Sequence, residues 1–236
     1  MSIARRFSPR RFSPWGHISQ VPLPQVQQAL IAIFTQWGQP KSIKVDNGHP
    51  FGDPGSDLRP VLALWLMSLG IEVIWNRPRR PTDNAKVERM QGVTAAWSEP
   101  ERRGSLEELQ QHLDEVAMIQ RSRYRCARLH NQTRIERYAA LLDGGRGYDA
   151  AACNLAAVFS FLASGTWVRK VSAVGQIDFY HRRYSVGAQY RRQHLRIHLD
   201  AEQKQWVVRS DENVEVKRFS ADFISQENIR GLSLCQ

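Results

Sequence analysis

Two carboxylates stand out by what surrounds them. Asp46 opens the turn-forming triplet Asp46-Asn47-Gly48 directly after a short β-rich run, and Glu88 closes the pattern Pro78-x-x-Pro81-x-x-Asn84-x-x-x-Glu88, with 41 residues between the two acids. A hard cation such as Mg²⁺ prefers carboxylate oxygens in octahedral geometry. Two such ions about 3.5 to 4 Å apart activate water or a 3′-hydroxyl and stabilise the leaving oxygen of a phosphodiester. That chemistry needs several converging carboxylates, yet no Asp or Glu precedes Asp46. Asp53 and Asp57, in the loop that follows, are further acids, but they stand after Asp46 and not before it. Each acid also has an ordinary reading, Asp46 as a turn residue and Glu88 as a solvated helix residue paired with a neighbouring Lys or Arg.

Periodicity shows which elements position these acids. Residues 24–37 put Val26, Leu30, Ile33, Phe34 and Trp37 at helical spacing, with Pro24 at the start and Gly38 and Pro40 beyond the end, which predicts an amphipathic helix. Residues 42–45 read as a strand that leaves Asp46 at its C-terminal end. Residues 58–69 are dense in apolar side chains and stop at Gly70, the pattern of a well-buried helix, and residues 71–75 read as the next strand. Pro78 and Pro81 stiffen the loop after it, and Thr82 or Asp83 can cap a helix over 84–91. That helix carries Asn84 and Glu88 on one face, with Lys86 and Arg89 beside it.

Farther along, residues 105–124 place Leu106, Leu109, Leu113, Val116, Ala117 and Ile119 on one side, and Ser105 with Glu108 has the form of a capping box. Residues 121–137 are Arg-rich, 143–147 are a Gly-rich break, and 150–162 hold a short helical pattern. The character then changes to short β-rich runs at 167–171, 176–180, 183–186, 195–199, 206–208 and 214–219, and strands this closely spaced predict a small barrel. A domain boundary is expected near Ser164.

Lys and Arg outnumber Asp and Glu by 33 to 23, a formal charge of +10 that favours a polyanionic partner, with nucleic acid first. The excess is +6 over residues 1–104, zero over 105–164 and +4 over 165–236, so it sits at both ends of the chain. No apolar run approaches the roughly 20 residues that span a bilayer, and no apolar stretch of a secretory signal follows Arg5, Arg6, Arg10 and Arg11. Cys126, Cys153 and Cys235 are odd in number and far apart, which supports neither a disulfide framework nor a zinc site. His17, His112 and His130 have no spacing that argues for a metal.

The order of Lys44-Val45-Asp46-Asn47-Gly48, then Gly70-Ile71, then Asn76-Arg77-Pro78-Arg79-Arg80-Pro81-Thr82-Asp83-Asn84-Ala85-Lys86-Val87-Glu88-Arg89 resembles the second half of the catalytic core of DDE transposases and retroviral-type integrases, over about residues 21–91. The resemblance implies a ribonuclease H-like fold, three acids that bind Mg²⁺ or Mn²⁺, and cutting or joining of DNA at phosphodiesters. Asp46 matches the family's second acid and Glu88 its third, so both are the expected catalytic and metal-binding residues. Asn84, Lys86 and Arg89 become candidate DNA contacts. The region 167–219, with Val174-Gly175-Gln176-Ile177 and Tyr184-Ser185-Val186-Gly187, resembles the small β-barrel that follows the core in many of these enzymes and holds DNA. Lys170, Arg182, Arg183, Arg191, Arg192 and Arg196 are its candidate phosphate contacts, with Tyr180, Tyr184 and Tyr190 interleaved. Phosphate contacts of this kind give salt-dependent, largely sequence-independent affinity.

The expected architecture is α/β: a basic extension over 1–20, a partial ribonuclease H-like integrase core over 21–104, a helical segment over 105–164, and a small DNA-binding β-barrel over 165–236. Nothing before Asp46 matches the family's first acid or its strands, so the expectation is a chain that begins inside the core and is inactive alone. DNA is the expected partner, with a second copy or a full-length transposase as further ones and no membrane; the expected location is cytoplasmic, on the nucleoid when DNA is bound. Two alternatives stay open: a noncatalytic DNA-binding remnant that uses the basic β module, and a composite site in which a partner supplies the missing strands. Two strands without their sheet partners would expose an edge and apolar helix faces, which predicts a poorly stable N-terminal half.

Overall fold

The computed structural model describes residues 21–52, 56–78, 80–143 and 145–234. Helices and strands are mixed along the chain. The described residues divide into two compact units, one from within 21–30 and 81–143 and the other from within 31–80 and 145–234, and the expected basic extension over 1–20 lies outside the described residues. Ser164 falls inside the second of these.

The first helix, α1 (Leu23–Trp37), ends in the second unit, where Phe34 is buried and its ring stacks on Trp65 at 6.3 Å. Next come β1 (Ser42–Val45), α2 (Val61–Ser68) and β2 (Glu72–Trp75). The two strands pair in parallel, Ser42 opposite Glu72 and Val45 opposite Trp75. A parallel pair needs a crossover, and α2 supplies it. Its residues from Val61 to Leu66 are all buried, as expected of a helix that is apolar all round. Gly70 stops it. At φ +72° Gly70 donates its N–H to Met67 O at 2.9 Å while Ile71 donates to Leu66 O at 3.0 Å, the bond pair of a Schellman motif. A side chain at that left-handed position would be strained.

In the first unit, α3 (Ala85–Ser98) buries only Ser98 and leaves Val87, Met90 and Val93 exposed. It meets α4 (Leu106–Ser122) through Gln120 Nε2 donating to Thr94 Oγ1 at 3.1 Å, and Trp97 stands edge-on to Tyr124 at 5.4 Å. Ser105 caps α4, its Oγ accepting from Glu108 N at 3.1 Å. The expected box is half made, because the Glu108 carboxylate accepts from Gly104 N instead of Ser105 N. The short helix α5 (Arg134–Arg137) carries the complete box, with Thr133 and Glu136 bonding each other's backbone N–H groups.

The second unit resumes with α6 (Leu155–Ala163), which packs on α2. The strands β3 (Trp167–Lys170), β4 (Gln176–Phe179), β5 (Arg182–Ser185), β6 (His194–Asp200), β7 (Gln205–Arg209) and β8 (Glu215–Ser220) follow, then the short α7 (Gln226–Arg230). The β-rich runs are strands, but no barrel closes among the described residues. One antiparallel sheet runs in the order β3-β6-β7-β8, and β4 and β5 pair only with each other. The hairpin meets the sheet through side-chain bonds in place of ladders: Arg169 Nε of β3 donates to Asp178 O at 3.2 Å, and Lys217 Nζ of β8 donates to Ser185 O at 2.9 Å. Gly175 allows the close approach across the open end of this hairpin, since at φ +80° a Cβ there would lie 2.7 Å from the Gly187 backbone.

Strand alternation builds the core of this module. In β6, Leu195, Ile197 and Leu199 are buried while His194 and Arg196 are exposed. Against them stands an aromatic cluster in which Trp206 meets Phe179 at 4.8 Å and Trp167 at 5.5 Å, both edge to face, the favoured geometry for ring quadrupoles.

Candidate functional site

In parallel α/β sheets ligands reach the carboxyl ends of the strands. Asp46 sits there, directly after β1, exposed, with Oδ1 accepting from Gly48 N at 3.1 Å. The ladder runs one step past the strands, Asn76 N donating to Val45 O at 2.9 Å, and Asn47 Nδ2 then donates to Asn76 O at 2.8 Å. The loop folds back on itself: Phe51 N and Gly52 N both donate to Gly48 O, and Trp75 Nε1 donates to Phe51 O at 2.9 Å. Asn47 and Asn76 thus tie together the two strand ends beside Asp46. Sequence reasoning used Asn47 only as a turn former and gave Asn76 no role, because hydrogen bonds between loop ends leave no periodic signal.

Glu88 is exposed in the first turn of α3, and its N–H donates to Asn84 O at 3.0 Å. Asn84 is the N-cap residue but makes no side-chain cap bond; Lys86 and Arg89 are exposed on the same helix. Asp46 belongs to the second unit and Glu88 to the first, so neither unit assembles the pair by itself. Among the described residues no three His, Cys, Asp or Glu side chains cluster as a metal site. A divalent ion held by converging acids therefore does not fit the described residues of either unit alone.

Asp57 is accounted for in another way. Both its oxygens accept from Arg169, Oδ2 from Nη1 at 2.9 Å and Oδ1 from Nη2 at 2.7 Å, and its backbone carbonyl accepts from Trp167 Nε1 at 3.2 Å. Its carboxylate is committed to a two-pronged ion pair that pins the 56–60 segment to β3. The Arg169 guanidinium holds the Asp57 carboxyl below the usual carboxylate range. A depressed folded value means the stabilisation is complete above the ordinary Asp value of roughly 4 and is lost as pH falls through the folded one. Asp57 is about half exposed, its side chain at 54%, so solvent screening keeps the contribution below about 1 kcal/mol. Urea midpoints measured from pH 7 to pH 3 should fall more steeply in the wild type than in Asp57→Asn; parallel curves would show that the pair is idle.

The cations of the β module differ in their surroundings. Arg183 lies 3.5 Å from Asp178 and Arg196 lies 3.8 Å from Asp211, both pairs well exposed, so a carboxylate offsets each locally. Arg182 covers the Phe223 ring at 4.8 Å. Arg218, absent from the sequence-based candidates, is held by Glu215 and Asp200, which raise its pKa further. Lys170, Arg191 and Arg192 are exposed, and the backbone gathers them: Arg192 N donates to Val171 O, Val171 N donates to Gln193 O, and Lys170 stands opposite His194. They form one basic edge where β3 ends and β6 begins. The tyrosines separate as sharply. Tyr180 is 2% exposed amid Phe179, Trp206 and Phe223, Tyr184 is half-buried against Phe219 with its phenol pKa pushed up by burial, and Tyr190 lines a surface cleft.

No family model matches the chain. No helix among the described residues is long and apolar enough to cross a membrane.

Proposed function

We propose that this is a transposase- or integrase-type protein of DNA transposition and DNA integration, in which residues 1–236 supply the second and third acids, Asp46 and Glu88, of a ribonuclease H-like core. The motif order supports this reading, and one observation carries it furthest. The parallel pair β1–β2 is joined through the buried helix α2, and Asp46 stands immediately beyond the C-terminal end of β1. A carboxylate at that edge faces the side of a parallel sheet from which ligands are bound. The β module, in this reading a barrel-like DNA grip, adds phosphate contacts at Lys170, Arg191 and Arg192.

Residues 1–236 by themselves are expected to transfer no strands, because in-line phosphoryl transfer depends on a full set of positioned acids and no Asp or Glu precedes Asp46. The purified chain with labelled duplex and Mg²⁺ or Mn²⁺ should give neither nicks nor joints. Strand transfer by this chain, abolished by Glu88→Gln, would overturn that claim. A second reading, a noncatalytic DNA-binding protein, is favoured by the basic edge, which requires neither acid. Activity restored by a polypeptide bearing the first acid, and lost again in Asp46→Asn or Glu88→Gln, separates the first reading from the second.

A further inference from the structure

Beside the basic edge, the second unit holds a surface cleft of about 470 Å³. Tyr190, Gln193 and His194 form one wall, and Ser210, Asp211 and Glu212, in the turn between β7 and β8, form another. Arg191 and Arg192 lie between Tyr190 and Gln193 in the chain, and Lys170 pairs with His194, so the three cations adjoin cleft-lining residues along the backbone without lining the cleft themselves. The cleft therefore joins an aromatic ring, paired carboxylates and an amide to an adjoining row of positive charge. Tyr180 and Tyr184 spend their rings on packing, whereas Tyr190, on the short turn Ala188–Tyr190, is left at the cleft.

We infer that this cleft takes one unstacked nucleobase of the DNA, an inference that rests on the DNA-binding reading of the β module. Three physical requirements meet here. Phosphates need cations, which Lys170, Arg191 and Arg192 provide at the border. A base removed from its stack needs a π-face, and stacking on an aromatic side chain is worth enough to offset unstacking at an already unpaired position. Its hydrogen-bonding edge needs complements inside. The carboxylates of Asp211 and Glu212 accept only, so they repel phosphate oxygens from the interior and favour bases that present donors. Guanine, with an N–H and an amino group side by side on its pairing edge, suits a carboxylate best. Thymine, with carbonyls flanking its single N–H, suits it least. Asp211 is drawn toward Arg196 across an exposed 3.8 Å pair, which leaves Glu212 as the principal acceptor.

The test uses the full chain and fluorescence anisotropy with four labelled probes: a perfect duplex, and the same duplex with one bulged guanine, one bulged thymine or one bulged abasic site. The guanine bulge should bind about tenfold more tightly than the perfect duplex, with thymine and the abasic site gaining little. Tyr190→Ala should erase the gain while leaving affinity for the perfect duplex within twofold, and Tyr190→Phe should retain it. Glu212→Gln should narrow the difference between guanine and thymine without requiring any change in the core, which near-UV circular dichroism checks. Equal binding of all four probes, with salt-sensitive binding intact, overturns the cleft proposal and leaves the DNA-binding reading standing. Absence of salt-sensitive binding to any probe overturns both.

Discussion

Neutralising Lys170, Arg191 and Arg192 together will flatten the salt dependence of DNA binding by about 2.7 on a log–log plot, since each phosphate no longer neutralised takes roughly 0.9 from the slope. The effect is large in ordinary terms. By the same relation, three neutralised phosphates account for a roughly 40-fold fall in affinity between 50 and 200 mM salt. The expectation rests on placement more than on the overall charge of +10. These three cations are exposed and gathered by the backbone bonds between Val171 and residues 192–193. Arg183 and Arg196 each have a carboxylate within 4 Å, and a phosphate approaching them meets a field already partly cancelled. Neutralising Arg183 and Arg196 should therefore change the slope by less than half as much. Titrations of a labelled duplex at four or more salt concentrations measure both variants. Equal slopes for the two would mean that the basic edge has no special standing.

Replacing Trp206 with Ala should cost about 3 to 5 kcal/mol of stability, the range for removing a large aromatic side chain from a packed core. Trp206 is 1% exposed and meets Phe179, Trp167 and Tyr180 within 6 Å between ring centroids. Such a loss is a large share of the total stability of a typical domain, about 5 to 15 kcal/mol. Trp206→Phe should be far milder. The indole Nε1 is buried with no hydrogen-bond partner, so its removal relieves an unmet donor while a ring is kept. Trp97→Ala, at a position 36% exposed, should cost much less than Trp206→Ala. Urea denaturation followed by circular dichroism ranks the three; a Trp97 variant as damaging as the Trp206 variant would contradict the placement of the core.

Local structure was legible wherever a single segment carried its own signal. The strand at 42–45 matches β1 residue for residue, and Gly70 ends α2 by the bonds that its type makes available. Ser105 caps α4 as read. The helix carrying Glu88 runs farther than 84–91, past Gly92 to Ser98, and in that extension Thr94 accepts from Gln120 of α4 while Trp97 meets Tyr124. The short helices α5 and α7 were missed, being single turns fixed by caps with no periodic signal of their own. The β-rich runs of the second half were legible as strands, but their pairing was not. Closure would require the hairpin β4–β5 to pair with the outer strands β3 and β8, and among the described residues no ladder joins them.

For the site, sequence order located Asp46 at a strand end, where the structure has it. It did not reveal that Asp57 is bound by Arg169, since 112 residues separate the two. Nor did it distinguish the tyrosines, which look alike in sequence as aromatic residues among arginines. Ring packing makes the distinction: Tyr180 is buried in the aromatic core, Tyr184 is half-buried against Phe219, and Tyr190, also half-buried, lines the cleft. Similarly, the count of arginines exaggerated the usable positive charge, because carboxylates brought near by the β-turns and cross-strand neighbours offset several of them.

The most direct measurement of the central claim, that DNA is the partner and the β module its grip, is the equilibrium affinity of the full chain for a labelled duplex across a salt series. Wild type, Asp46→Asn and the Lys170, Arg191 and Arg192 variant should be run side by side. A steep negative dependence shared by wild type and Asp46→Asn, and shallower by about 2.7 in the triple variant, is the expected result. Binding that is absent, indifferent to salt, or unchanged in the triple variant would contradict it.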